Sequence, residues 1–201
     1  MANRWDERYN TKEFVFGTQP NDYLCQVVQH IKPGGKVLSL GEGEGRNAIH
    51  LAKLGFQVDC VDLSIEGVKK LNEWAKQEGL QDKVKAFVAD LEAYEMKPGY
   101  DAIISIWCHM PSSVRVKVHA KVVKSLAIGG YFILEAYTPK NIGRGTGGPQ
   151  DADRVLTADI LPDELTGLKT VKMEELERDI HEGGGHNGMS SVIQYLGVKQ
   201  A

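Results

Sequence analysis

Residues 36–62 read KVLSLGEGEGRNAIHLAKLGFQVDCVD: an apolar run, a turn with Gly41, Gly43 and Gly45 separated by glutamates, a helix-period stretch, a second apolar run and a closing aspartate. Apolar runs bounded by Gly or Asp read as strands, and the longer segments between them read as helices. The alternation continues down the chain: helices at about 45–54, 64–78 and 113–127 separate KVLSLG, FQVDCVD, VKAFVAD, YDAIISIW and GGYFILEAY. Runs such as AIISIW and YFILEA are apolar on both sets of alternate positions, as parallel strands covered by helices on both faces require. The expectation is an α/β fold with five parallel strands. Ser64 is placed as the N-cap of one helix and Ser112 or Ser113, after Pro111, as that of another, while Gly79 and Gly129 fall where helices should stop.

Two regions depart from the repeat. TPKNIGRGTGGPQDAD, residues 138–153, holds four glycines and two prolines and predicts a long loop directly after the fifth strand. Loops of that length in a compact domain are usually functional or disordered. After a short helix near 157–166, TVKMEELERDIHE and SSVIQYLGVK flank HEGGGHNGM and read as two strands of a hairpin, against the helical propensity of EELER. Residues 1–35 form an N-terminal arm leading into a helix at about 21–31, so the chain reads as one domain over 1–201.

The 201 residues are 42% hydrophobic and 25% charged, enough for one self-supporting core. A net charge of -3 with scattered Lys and Arg leaves no basic footprint for nucleic acid. No run reaches the ~18 apolar residues of a membrane span, and MANRWDERYN is charged where a secretory signal would be apolar. A cytoplasmic location and no membrane partner follow as expectations. Cys25, Cys60 and Cys108 have neither CxxC nor Cys/His metal spacing and are read as reduced thiols, with Cys25 and Cys60 packed, and no metal is expected.

A strand ending in a Gly-rich turn that opens a helix brings a ligand to the carboxyl edge of a parallel sheet. The dinucleotide fingerprint G-x-G-x-x-G, started at Gly41, needs glycine at 46, where the chain has Arg46. Glu42 and Glu44 would also repel a diphosphate held at the helix N-terminus. A cationic sulfonium meets no such objection. Asp62, ending VDCVD, can accept both hydroxyls of a ribose, and Asp90 in FVADL can accept from an adenine amino group, with Leu91 beside it as an apolar face.

The chain resembles class I S-adenosylmethionine-dependent methyltransferases, and more narrowly the tellurite-resistance (TehB-type) and thiopurine-methyltransferase-like group. The likeness runs through WDERY, FVFGTQPN, LGEGEGRNAIHLA, VDLS, ADL, GTGGP and EGGGHNG. It implies a Rossmann-like three-layer αβα sandwich, whose seven-stranded, mostly parallel sheet ends in an antiparallel C-terminal hairpin. It also implies S-adenosyl-L-methionine as cofactor and S-adenosyl-L-homocysteine as product. The cofactor site it implies takes Gly41, Glu42, Gly43, Gly45 and Arg46 from the glycine loop. Asp62, Leu63, Asp90, Leu91 and Ile106 join from later strand ends, and Trp5 and Tyr9 from the arm. Many relatives carry an acid two residues before the first glycine of the loop, where this chain has Ser39.

Methyl transfer from a sulfonium is an in-line displacement in which the protein chiefly aligns the nucleophile. Thiolates and reduced chalcogen anions need little deprotonation, whereas oxygen or amine acceptors call for a base. Candidates for positioning the acceptor are Trp107, His109, Tyr137, Arg144, Gly145, Gly147, Gly148 and His186. His109 reads either as a group that orients or deprotonates the acceptor or as a polar loop histidine capping the next helix. Arg46 reads as a partner of Glu42 or Glu44, or as a steering group for an anionic acceptor. Trp5, Tyr9 and Phe16 form an aromatic lid over a sulfonium or anchor the arm in the core. The expected activity is methyl transfer to a small thiol or chalcogen (S, Se, Te) species by a monomer or homodimer. The rival classes are a nucleic-acid methyltransferase, a non-catalytic or regulatory cofactor-binding protein, and an NAD-linked oxidoreductase.

Overall fold

The computed structural model describes residues 3–201. Five strands, β1 (Lys36–Leu40), β2 (Gln57–Asp62), β3 (Val84–Val88), β4 (Tyr100–Ile106) and β5 (Leu126–Tyr137), pair in parallel. The hairpin β6 (Leu168–Glu182) and β7 (His186–Lys199) completes a seven-stranded sheet of order β3-β2-β1-β4-β5-β7-β6, with β7 antiparallel to both neighbours. The order reverses between β1 and β4, and in open α/β sheets ligands bind in the crevice beyond the strand ends at that point.

Helices α1 (Arg4–Tyr9), α2 (Asp22–Val27), α3 (Arg46–Lys53), α4 (Ile65–Gln77), α5 (Ser112–Ser125) and α6 (Leu161–Glu164) complete the chain. Alternate strand residues enter opposite layers. Val37, Ala102 and Ile104 pack with Tyr23, Ile49 and Leu71 from α2, α3 and α4, whereas Leu38, Ile103 and Phe132 pack with Val118 and Leu161 from α5 and α6. This double burial is why the strands read as continuous apolar runs, and it makes the three-layer sandwich.

Ser64 caps α4 through its side chain, which accepts from Gly67 N, and Gly79 follows the end of α4 with φ 69. Neither Ser112 nor Ser113 caps α5: Pro111 holds the cap position, and the Asp153 carboxylate accepts from Ser112 N at 3.0 Å. Gly129 ends no helix but lies inside β5 with φ 79, where the β4 pairing jumps from Leu126 to Tyr131. EELER is strand, because β6 pairs with β7 along its length from Leu168↔Lys199 to Glu182↔His186. Sheet pairing overrides the local helical preference. Cys60 is buried as expected, but Cys25 is exposed, its Sγ 3.8 Å from His50 Nε2.

Candidate active site

Gly41, Gly43 and Gly45 all take positive φ, at 63, 64 and 103. A Cβ on each would approach Cys108 Sγ to 2.7 Å, the Tyr9 hydroxyl to 2.6 Å and Leu71 Cγ to 2.7 Å. Glycine is therefore needed at the loop both for conformation and for space. The glutamates between them turn inward. Glu42 accepts from the Ser39 hydroxyl and from the amides of Asn47 and Ala48 at 3.0 and 2.9 Å, so the protein's own carboxylate fills the anion position at the N-terminus of α3. Burial raises its carboxyl above the usual range, opposed by those hydrogen bonds. Ser39, two residues before the first glycine, is bonded through its hydroxyl to the acid three residues on. Glu44 pairs with Lys70 at 2.7 Å and accepts from Val15 N at 2.8 Å, fastening the arm to α4.

Asp62 is buried, its oxygens accepting from Gly43 N and Ser64 N, each at 2.8 Å. Burial pushes its carboxyl up and these amides oppose the shift. Leu63 is 44% and Val88 48% exposed at the ends of β2 and β3, with Asp90 exposed beyond them and Leu91 half-buried. One Asp90 oxygen accepts from Glu92 N at 2.8 Å. A buried carboxylate between uncovered apolar side chains, next to an exposed acceptor, supplies acceptors suited to ribose hydroxyls and apolar faces suited to an adenine ring. These residues therefore fit an adenosyl cofactor.

The arm closes over this edge through a run of rings. Trp5 stacks on Tyr9 (centroids 5.7 Å apart), Tyr9 meets Phe16 edge-on (6.2 Å), and Phe16 stacks on His186 (4.7 Å). Beyond His186 lie Trp107 (4.9 Å) and then Tyr137, 4.6 Å from Trp107. Three backbone segments meet there: Gly184 N donates to Val15 O at 3.0 Å and Asn187 N to Thr146 O at 2.9 Å, joining hairpin tip, arm and the loop after β5. A Cβ on Gly147 would come within 2.7 Å of His186 Nδ1, and one on Gly148 would collide with the Tyr137 ring. The glycines let backbone press directly on the rings.

His186 Nδ1 lies 2.7 Å from the Tyr137 hydroxyl, and none of the described residues hydrogen-bonds its Nε2. Burial first, and then surrounding cationic groups with Arg46 foremost, hold His186 well below the usual histidine range. His109 serves differently. Its Nδ1 is 3.0 Å from Trp107 O, so that nitrogen carries the proton, and Nε2 accepts from Tyr137 N at 3.0 Å. The ring thus extends the β4–β5 ladder, beyond the Ile106↔Glu135 register, by a side-chain bond instead of capping α5. Burial lowers its pKa to about 4, opposed by the Trp107 carbonyl, so it is neutral and has no free nitrogen to act as a base.

Beneath the rings lies a polar network that the sequence reading missed. Glu135, 0% exposed, accepts from Arg178 Nε and Nη2 (3.0 and 2.8 Å), Asn21 (2.6 Å) and Gln194 (2.7 Å). Arg46 pairs with Glu182 at 2.5 Å and donates to Gln19 O at 3.3 Å, correcting the expected pairing with Glu42 or Glu44. Arg144 is exposed and bonded to Glu177 (2.5 Å) and Lys140 O (2.8 Å), apart from the ring cluster. Ile106 is buried at the end of β4. A signal for the network was present: Glu135 interrupts YFILEAY, and a carboxylate in a doubly covered strand demands partners. Among the described residues no group of three or more His, Cys, Asp or Glu could hold a metal ion, and no helix is long and apolar enough to cross a membrane.

Comparison with known proteins defines the class. A stretch of 113 residues is 33% identical to a sarcosine/dimethylglycine N-methyltransferase of Aphanothece halophytica, covering 55% of this chain and 40% of the relative. A stretch of 109 residues is 32% identical to a probable S-adenosyl-L-methionine-dependent methyltransferase TehB of Haemophilus influenzae, covering 50% of this chain and 35% of that one. These matches span less than half of the curated relatives' length. The crystal structure of TehB from Haemophilus influenzae superposes with a TM-score of 0.74 at 20% identity, covering 98% of this chain and 66% of that one, which establishes the shared fold. The class is that of the S-adenosylmethionine-dependent methyltransferases. Residues 3–141 match the family model of the tellurite resistance protein TehB, and the chain belongs to that family, whose cofactor is S-adenosylmethionine.

Proposed function

We propose that the chain transfers a methyl group from S-adenosylmethionine to a small soft nucleophile, a thiol or a reduced sulfur, selenium or tellurium species, in the cytoplasm. Bound cofactor supplies an electrophilic methyl group on a sulfonium, open to in-line displacement. Asp62 would accept the ribose hydroxyls, Leu63 and Leu91 would flank the adenine, and Asp90 would accept from its amino group. The backbone at Gly41, Gly43, Gly45 and Ile106 lines the approach, and Tyr9 packs on Gly43 while Trp5, stacked on Tyr9 with the Arg4 and Arg8 guanidinium groups 5.1 and 5.5 Å from its centroid, holds the arm over the loop. His186 and Trp107, with Tyr137 behind them, align the acceptor and exclude water.

The observation that carries the choice of acceptor is the setting of His186. It is neutral, packed between Phe16 and Trp107, and the guanidinium of Arg8 lies 4.9 Å over the Phe16 ring. Arg46 and Arg178 are paired with Glu182 and Glu135, which leaves the Arg8 guanidinium, in no ion pair among the described residues, to favour an anionic nucleophile over an amine, which must carry positive charge after transfer. The hairpin that bears His186 lies beyond the residues 3–141 matched by the family model, so the relatives' acceptors do not transfer automatically. A radiolabelled methyl-transfer screen across thiols, sulfide, selenide, telluride, phenols and amines tests the proposal. Turnover of a thiol or chalcogen species is expected. Turnover restricted to amines overturns the acceptor class, and binding of cofactor without turnover on any acceptor favours the non-catalytic alternative.

A further inference from the structure

The carboxylate of Glu182 is the point where four separate segments of the chain meet. Its Oε2 accepts from Arg46 Nη2 at 2.5 Å and from Trp107 Nε1 at 2.6 Å, and its Oε1 accepts from Asn21 Nδ2 at 2.9 Å and Arg178 Nη2 at 3.1 Å. Arg46 directly follows the glycine loop, Asn21 opens α2, Trp107 follows β4, and Glu182 ends β6 beside the glycines of the hairpin tip. All four acceptor positions of an ionised carboxylate are thereby used.

Trp107 is the residue most in need of such a hold. It is the one described non-glycine residue with positive φ, at 57, a conformation unfavourable for a bulky side chain and found where surrounding structure enforces it. Its backbone N donates to Glu135 O at 3.0 Å, and its ring lies against both Tyr137 and His186. Arg178 adds a guanidinium 5.8 Å from the indole centroid. Loss of the indole hydrogen bond leaves only ring stacking and the Arg178 guanidinium to fix the ring's tilt within the cage.

We propose that Glu182 is a positioning residue that holds Trp107 in its strained conformation and ties it, through the shared oxygen, to Arg46 and so to the cofactor loop. The proposal rests on the reading of the ring cluster as the acceptor wall. Order at the glycine loop then has a hydrogen-bonded route to the acceptor side through one carboxylate, beside the packing of Gly41 on Cys108 and of Tyr9 on Gly43. An amide cannot take this role. A glutamine side chain in its place would have one oxygen for four donors and would turn its own N–H groups toward a guanidinium.

The test uses the full chain carrying fluorotryptophan at Trp5, Trp74 and Trp107, with the Trp107 fluorine resonance assigned from Trp107→Phe. S-adenosylhomocysteine should shift that resonance in the unaltered protein. In Glu182→Gln the ligand should still bind within about threefold of its normal affinity, since Asp62 is untouched, while the Trp107 response is lost. Glu182→Asp should restore part of the response, a rescue that mere loss of packing would not give. An undiminished Trp107 response in Glu182→Gln overturns the proposal. If Glu182→Gln does not fold, Arg46→Gln breaks the same link from the other end, and a retained response there overturns it equally. A null result in the methyl-transfer screen would count against the proposed acceptor chemistry alone, because this readout needs no acceptor.

Discussion

Two pairs of buried glutamates do opposite kinds of work in this molecule. Glu42 and Glu44 act around the glycine loop: Glu42 takes the amides of Asn47 and Ala48, and Glu44 takes Lys70 of α4 and Val15 N of the arm. Glu135 and Glu182 act across the whole chain, joining Asn21, Arg46, Trp107, Arg178 and Gln194. Glu42 shapes a loop whose form is set within a few residues, and Glu44 fastens that loop to the arm and to α4. The second pair holds together elements that only the finished sheet brings near one another, so its loss should cost more.

The comparison breaks most sharply at Glu135. Glu135→Ala leaves Arg178, Asn21 and Gln194 facing an empty site and should lower stability by about 3–5 kcal/mol in denaturant unfolding. A loss no larger than that of Glu42→Ala would erase the distinction. His109, which closes the β4–β5 ladder, should give the next largest effect, through pH. Its folded pKa of about 4 lies below the ordinary histidine value of 6.5, so the unfolded chain takes the proton first. The contribution is fully present above pH 6.5 and declines as pH falls toward 4, by up to roughly 3 kcal/mol. His109→Gln should flatten that part of the stability profile, and an unchanged slope would free His109 from its ladder role.

Glu42→Ala strips the α3 amides and the Ser39 hydroxyl of their acceptor, with an expected loss of about 1–3 kcal/mol. Urea unfolding at neutral pH measures it. The smallest effect belongs to Arg144, whose ion pair with Glu177 is exposed. Arg144→Ala should change stability by less than about 1 kcal/mol and leave cofactor affinity unaltered, whereas a large loss of methyl transfer would bring Arg144 back to the acceptor site.

Legibility followed the same divide. Strand order is invisible in any one segment, but doubly apolar runs such as AIISIW, the glycines of the first loop and Asp62 at the end of VDCVD announce the parallel half of the sheet and its ligand edge. Ser64 and Gly79 were readable because a cap is a local event. Gly129 misled because a positive φ serves a strand irregularity as well as a helix end, and EELER was ambiguous because pairing with a partner strand is not written in local propensity. Arg46 pointed to Glu42 and Glu44 by proximity in sequence, yet its partner is Glu182, 136 residues away. Long-range ion pairs leave no spacing to read, although an isolated glutamate in YFILEAY does signal that some partner must exist.

The central claim is that the edge formed by Gly41, Gly43, Gly45, Asp62 and Asp90 holds an adenosyl cofactor without a diphosphate. Titration calorimetry of the full chain with S-adenosylhomocysteine and with NAD, repeated on Asp62→Ala, tests it most directly. The expected result is binding of S-adenosylhomocysteine, none of NAD, and a loss of about 10- to 100-fold in affinity on removing the Asp62 carboxylate. Binding of NAD alone, or unaltered S-adenosylhomocysteine affinity in Asp62→Ala, would contradict it.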